Sequence, residues 1–138
     1  MRFAVLVKAT AQSESGALPS TEKLSEMGTF NERLIKDGIM LAGEGLQPSS
    51  KGVRLRFDGT KATVIDGPFA ETKELVGGFW IVQGRSREEI VERFKSAPFD
   101  AGDVLEIRQI YEVEDFGDSF TPEHRDAEAA FRVKSGLS

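Results

Sequence analysis

The chain contains no cysteine, a single histidine, one tryptophan and one tyrosine in 138 residues. Without cysteine, disulfides, zinc fingers, iron–sulfur clusters and thiol nucleophiles are all excluded. The one histidine, His124, lies near the C-terminus, so Ser13, Ser15 and Ser20 have no nearby histidine and a serine triad finds no support. Long apolar runs are also missing. Residues 3–7 form a short apolar stretch after Met1-Arg2, too short for a signal-peptide core or a membrane span. Basic excess is absent as well: 18 Lys and Arg against 23 Asp and Glu leave a net charge of −5, which disfavours direct nucleic-acid binding. A cytoplasmic protein with no membrane association is expected. The length suits one domain able to bury a core without staples.

The apolar residues that are present follow two periods. Phe3, Val5 and Val7 alternate with polar or small neighbours, as in a strand. A loop rich in Ser, Gly and Ala over residues 10–19 follows. Ser20 then starts a helix over residues 21–37, with Leu24, Met27, Phe30 and Leu34 on one side and Gly38 as its stop. Residues 39–42 read as a short strand. Val53, Leu55 and Phe57 alternate with Arg54, Arg56 and Asp58, and Asp58-Gly59 predicts a two-residue hairpin turn. That turn pairs Phe57 with Thr60, Leu55 with Ala62 and Val53 with Val64. It sets Arg54, Arg56 and Lys61 on one outer face, a solvated basic patch without interleaved aromatics.

Residues 77–83 read as a buried strand. Ser86 and Glu89 form a capping box for a helix that Pro98 closes, and residues 104–113 give a last long strand. Thr121-Pro122-Glu123 opens a tail helix. The order is a split βαββαβ, the ferredoxin-like α+β arrangement, with an inserted hairpin and a C-terminal helix. Residues 1–113 form the domain and residues 114–138 the tail. One sheet face carries the helices. The other needs a cover, which a second copy or the chain's own tail helix supplies.

Asp66 carries the strongest chemical signal. It ends the return strand of the hairpin, before Gly67-Pro68, on the same face as Val64. A carboxylate at the end of an apolar face suits general acid–base work, and the competing reading is a side-chain cap on its own turn. Glu44 stands between Gly43 and Gly45, where it frames a ligand or marks an exposed strand end. Neither this pair nor Gly77-Gly78 makes a dinucleotide fingerprint. Glu71, Lys73 and Glu74 form a charged turn. Phe79 and Trp80 point to opposite faces, one to the core and one to a cleft or interface. The acidic run Glu112, Glu114, Asp115 and Asp118 lacks calcium-loop spacing. No metal and no cofactor are expected.

The string VIDGPFAETKELVGG over residues 64–78 closely resembles the signature of the DGPF branch of the YCII-related proteins. Residues 40–48, MLAGEGLQP, and Glu106-Ile107-Arg108 are similar to two further segments of that branch. The resemblance covers residues 1–113. It implies a ferredoxin-like fold assembled as a dimeric α+β barrel, and in some members an enzyme with a His–Asp pair in a cleft. This chain has no histidine in the matched region. Asp66 is then the candidate catalytic residue, with Glu44, Phe69, Lys73, Trp80 and Arg108 as candidate ligand contacts. The expected function is a homodimer with a small-molecule cleft near Asp66, possessing cofactor-independent proton-transfer activity. The alternative is a non-catalytic interaction module linked to sigma-factor or transcription regulation. Whether the chain is an enzyme is left open by the sequence.

Overall fold

A computed structural model describes residues 1–136, with Lys73 described in its backbone alone. Its elements in chain order are β1 (Arg2–Lys8), α1 (Ala11–Glu14), α2 (Thr21–Lys36), β2 (Met40–Gly45), β3 (Val53–Asp58), β4 (Lys61–Asp66), β5 (Val76–Gln83), α3 (Arg87–Phe94), β6 (Leu105–Gln109) and α4 (Pro122–Ser135), with short 3-10 segments at Ser49–Lys51, Thr72–Glu74 and Val113–Ser119. Four strands form an antiparallel sheet in the order β2-β5-β1-β6, and β3 and β4 form a separate hairpin. This is the ferredoxin-like topology with the hairpin inserted between β2 and β5.

Alternation divides the sheet cleanly. Phe3 and Val5 face α2 and α3 together with Trp80 and Val82, and all four are buried. Phe30 and Leu34 from α2, and Ile90 and Phe94 from α3, close that core. The indole of Trp80 packs edge-on against Phe94, with centroids 5.1 Å apart, and its Nε1–H donates to Asn31 Oδ1 at 2.9 Å. Such burial is worth roughly 1.5–3 kcal/mol per large apolar side chain. Ala4, Leu6, Phe79 and Ile81 point the other way. α4 buries none of its residues, so the tail helix does not cover this open face.

Several local expectations need correction. The hairpin turn lies at Gly59-Thr60, one residue later than expected, with Phe57 opposite Ala62, Leu55 opposite Val64 and Val53 opposite Asp66. A turn at Asp58-Gly59 needs positive φ at both residues, and only Gly59 adopts it (φ 60°). Sliding a two-residue loop by one leaves the faces unchanged, so Asp66 keeps the apolar side. The capping box at α3 is half formed: Glu89 N–H donates to Ser86 Oγ (3.1 Å), but the Glu89 carboxylate accepts from Arg85 N–H (2.9 Å). The last strand ends at Gln109, where its pairing with β1 reaches Phe3 and Ile110 N–H donates to Arg2 O. The loop over residues 10–19 contains a helical turn, α1. Thr10 Oγ1 accepts from Ser13 N–H (3.1 Å) and Ser13 Oγ accepts from Thr10 N–H (2.9 Å), and this exchange builds it.

Candidate functional site

A cleft of about 520 Å³ opens on the helix side, where β1 ends and β5 begins. Val7, Met27 and Phe99 are part of its apolar lining. α1 and the following loop form one wall through Gln12, Ser13 and Leu18, and the segment around Asp100 and Asp103 forms the other. Each wall is held by identifiable bonds. Ala9 N–H donates to Leu75 O (2.8 Å) and fixes the approach to α1. Asp100 N–H donates to Asp103 Oδ2 (2.7 Å) and closes the opposite turn. Lys23, in the first turns of α2, reaches the second wall: its Nζ donates to Asp100 Oδ1 (3.0 Å) and to Pro98 O (3.3 Å). The hydrogen bond to Asp100 raises the Lys23 pKa above its ordinary value, so the ammonium stays charged. Lys8 also lines the cleft and lies 3.3 Å from Glu106. The Lys23 ammonium, the carboxylates of Asp100 and Asp103 and an apolar floor suit a small molecule with both polar and apolar parts.

The turn after Asp66 lies beyond that end of the sheet. Asp66 is exposed, opposite Val53. An Asx-type cap there would need the N–H two residues on, which Pro68 lacks. The turn is instead held from outside. Gly67 N–H donates to Gly52 O (3.0 Å) and Phe69 N–H to Ser49 Oγ (3.1 Å). Ser49 in turn donates through Oγ to Glu14 Oε1 and through its N–H to Glu14 Oε2 (2.9 Å). The Ser49 hydroxyl bond, then its N–H bond, hold the Glu14 carboxyl below its ordinary pKa. Glu14 is the last residue of α1, so this clasp ties a wall of the cleft to the Gly67-Pro68-Phe69 turn. The Arg54 guanidinium stacks 3.8 Å above the Phe69 ring.

The sequence-selected residues therefore fall into separate places. Asp66 and Phe69 belong to the turn. Glu44, opposite Phe79, and Arg108, opposite Ala4, are exposed on the open face at opposite sheet edges. Trp80 is spent in the core, and Phe79 is its open-face neighbour. Gly43 serves that core: a Cβ there would lie 3.0 Å from the Trp80 ring. The Lys73 side chain lies outside the described residues. One chain does not gather these groups into a single pocket. Lys8, Lys23, Asp100 and Glu14 carried no linear signal, because only the fold brings positions 8, 23 and 100 together.

A split βαββαβ sheet with one helix-covered face and a cleft at its end defines a ferredoxin-like α+β domain. Residues 1–114 match the YCII-related domain, and the chain belongs to that family. An uncharacterized protein, R00369, of Rhizobium meliloti (strain 1021) is 28% identical over 69 residues, a match spanning 50% of this chain and 56% of that relative. Among solved structures, 5-chloro-2-hydroxyhydroquinone dehydrochlorinase (TftG) from Burkholderia phenoliruptrix AC1100, in complex with 2,5-dihydroxybenzoquinone, covers 83% of this chain and 98% of its own at 18% identity, with a TM-score of 0.41. No helix among the described residues is long and apolar enough to cross a membrane.

Proposed function

We propose that this chain is a cytoplasmic, homodimeric member of the DGPF branch that binds a small, partly apolar organic molecule and acts on it by cofactor-independent proton transfer. The observation that carries the reading is the 520 Å³ cleft in which Lys23 meets Asp100 beside Met27 and Phe99. A lysine that keeps its proton is a charged anchor for a carboxylate or a developing oxyanion, not a base. Asp66 is the candidate acid–base group, and the Glu14–Ser49 clasp supports its link to the cleft wall. A second copy on the open face would enclose Glu44 and Arg108, which makes them candidate contacts of an inner cavity, with Phe69 and Lys73 at its rim.

The test is a thermal-shift screen of small carboxylic acids and phenols on wild type, Lys23→Met and Asp66→Asn. Ligand that binds the folded state raises apparent stability by mass action. Hits that weaken at least tenfold in Lys23→Met are expected. Binding that ignores Lys23→Met, or a panel without hits, removes the cleft reading. A second reading, a non-catalytic interaction module tied to transcription regulation, draws on α4, where Phe131 is 55% and Val133 83% exposed.

A further inference from the structure

The hairpin and the C-terminal tail each carry an apolar surface that the chain leaves uncovered. Val53, Leu55, Phe57 and Val64 share one hairpin face and are 56–73% exposed. A two-stranded ribbon is marginal in water without a cover for such a face. On the tail, the Val113–Ser119 segment and α4 border a groove of about 500 Å³ lined by Phe120, His124, Ala127, Glu128 and Phe131. His124 is locked there, its Nδ1 accepting from Thr121 N–H at 3.1 Å.

The two surfaces are opposite in charge. Residues 51–66 hold four Lys and Arg against two Asp, a net of +2. Residues 112–128 hold seven Asp and Glu against one Arg, a net of −6. Within one chain they stay apart. The hairpin leaves the sheet where β2 ends and β5 begins, and the tail leaves where β6 ends and β1 begins. Since β2 and β6 are opposite edges, these are diagonal corners. They lie about 14 Å apart across the strands and about 20 Å apart along them.

We infer that the hairpin of one copy docks in the tail groove of a second copy, and reciprocally. This rests on the homodimer reading above. A two-fold axis in the plane of the open face, perpendicular to the line joining the two corners, exchanges them. It crosses the strands of the two sheets near a right angle, one of the two angles at which sheets pack. An axis along that line lays hairpin on hairpin and brings two segments of net charge +2 together. Aligned packing leaves hairpin and tail at different ends or different edges. Charge selects the first arrangement, since opposite patches within roughly a Debye length of about 8 Å attract and fix register. Leu55 and Phe57 then fill the groove beside Phe120 and Phe131. The arginine heads lie along the rim, near the acidic segment.

A cysteine-free chain permits a direct test. Light scattering on the full-length wild type comes first, and a monomer at micromolar concentration overturns both the homodimer and the docking. Given a dimer, Thr63→Cys and Asp118→Cys chains are mixed and treated with a short bis-maleimide. A covalent product that needs both variants is expected. A product from Thr63→Cys alone means hairpin on hairpin and overturns the docking while sparing the dimer, as does the lack of any mixed product. Independently, Arg54→Glu with Arg56→Glu should weaken dimerisation at least tenfold, and adding Glu114→Lys with Asp118→Lys should restore it. A dissociation constant unmoved by the arginine reversals refutes the pairing.

Discussion

Alanine at position 67 should damage the turn that follows Asp66 more than any other single methyl group added to a described glycine. An ideal Cβ on Gly67 falls 1.8 Å from the backbone oxygen of Ser49, 2.7 Å from its carbonyl carbon and 3.3 Å from Gly52 O. Backbone atoms cannot rotate aside as a side-chain end can, so either the hairpin base or the Ser49–Lys51 turn must move by more than 1 Å. That movement strains or breaks Gly67 N–H to Gly52 O and Phe69 N–H to Ser49 Oγ, and with them the hold of Ser49 on Glu14. Overpacking of this kind costs about 1–3 kcal/mol, and each neutral hydrogen bond about 0.5–1.5 kcal/mol net. A loss of at least about 2 kcal/mol is expected, a substantial part of the stability of an ordinary domain. Urea unfolding reads the global share. Amide exchange at Phe69 and along β3 and β4 reads the part confined to the hairpin, which can open without the core. Gly45→Ala is the control, since nothing lies within 4 Å of a Cβ there. If Gly67→Ala matches the control in both measurements, the close approach of Ser49 does not constrain the turn.

Two further predictions rest on other parts of the chain. Gly28→Ala, inside α2 with nothing within 4 Å of the added methyl, should raise stability by about 0.4–1 kcal/mol in urea unfolding, and a loss would refute open space on this helix face. The bonds from Arg2 to Glu112 (2.9 and 3.1 Å) hold the Glu112 carboxyl below its ordinary pKa of 4.5. A lowered carboxyl stabilises the fold above its unfolded pKa and loses that contribution as pH falls through the lowered value. Proteolysis of the tail should therefore accelerate below about pH 4.5 in wild type. In Glu112→Gln it should already be fast at neutral pH, with a flatter acid limb, and identical pH profiles would remove Glu112 as the anchor.

The fold was legible wherever one local period ran uninterrupted. Ser20 caps α2 through Lys23 N–H, and the spacing of Phe30 and Leu34 places the core side of the helix, because both signals lie within a few turns of chain. Faces of the hairpin were legible because alternation survives a one-residue slide of a two-residue loop. The position of the turn was not, since the choice between Asp58-Gly59 and Gly59-Thr60 depends on which residues accept positive φ. α1 was hidden in a segment of small polar residues, where Thr10 and Ser13 cap each other and no apolar period exists. The last strand read too long because alternation continues to Tyr111, whereas pairing with β1 ends at Gln109. Sequence alternation reports where side chains can point; only a partner strand decides how far the ladder runs.

The site was less legible than the fold, for a reason that the Glu14–Ser49 clasp makes concrete. Asp66 stood out because Gly67-Pro68 follows it, yet the residues that hold its turn come from α1 and from the Ser49–Lys51 segment, 52 and 17 positions earlier in the case of Glu14 and Ser49. The same short helix that supplies Glu14 supplies Ser13 to the cleft. The two ends are thus joined by one turn of helix, capped at its start by Thr10 and clasped at its end by Ser49. Ligand in the cleft and the geometry of the Asp66 turn should for that reason be coupled, and the coupling is reciprocal. Glu14→Gln keeps the shape and removes the charge, so it separates coupling from packing. Weaker ligand binding in the cleft, together with faster amide exchange at Phe69, is what one connected site requires, and either effect alone would divide the cleft from the turn.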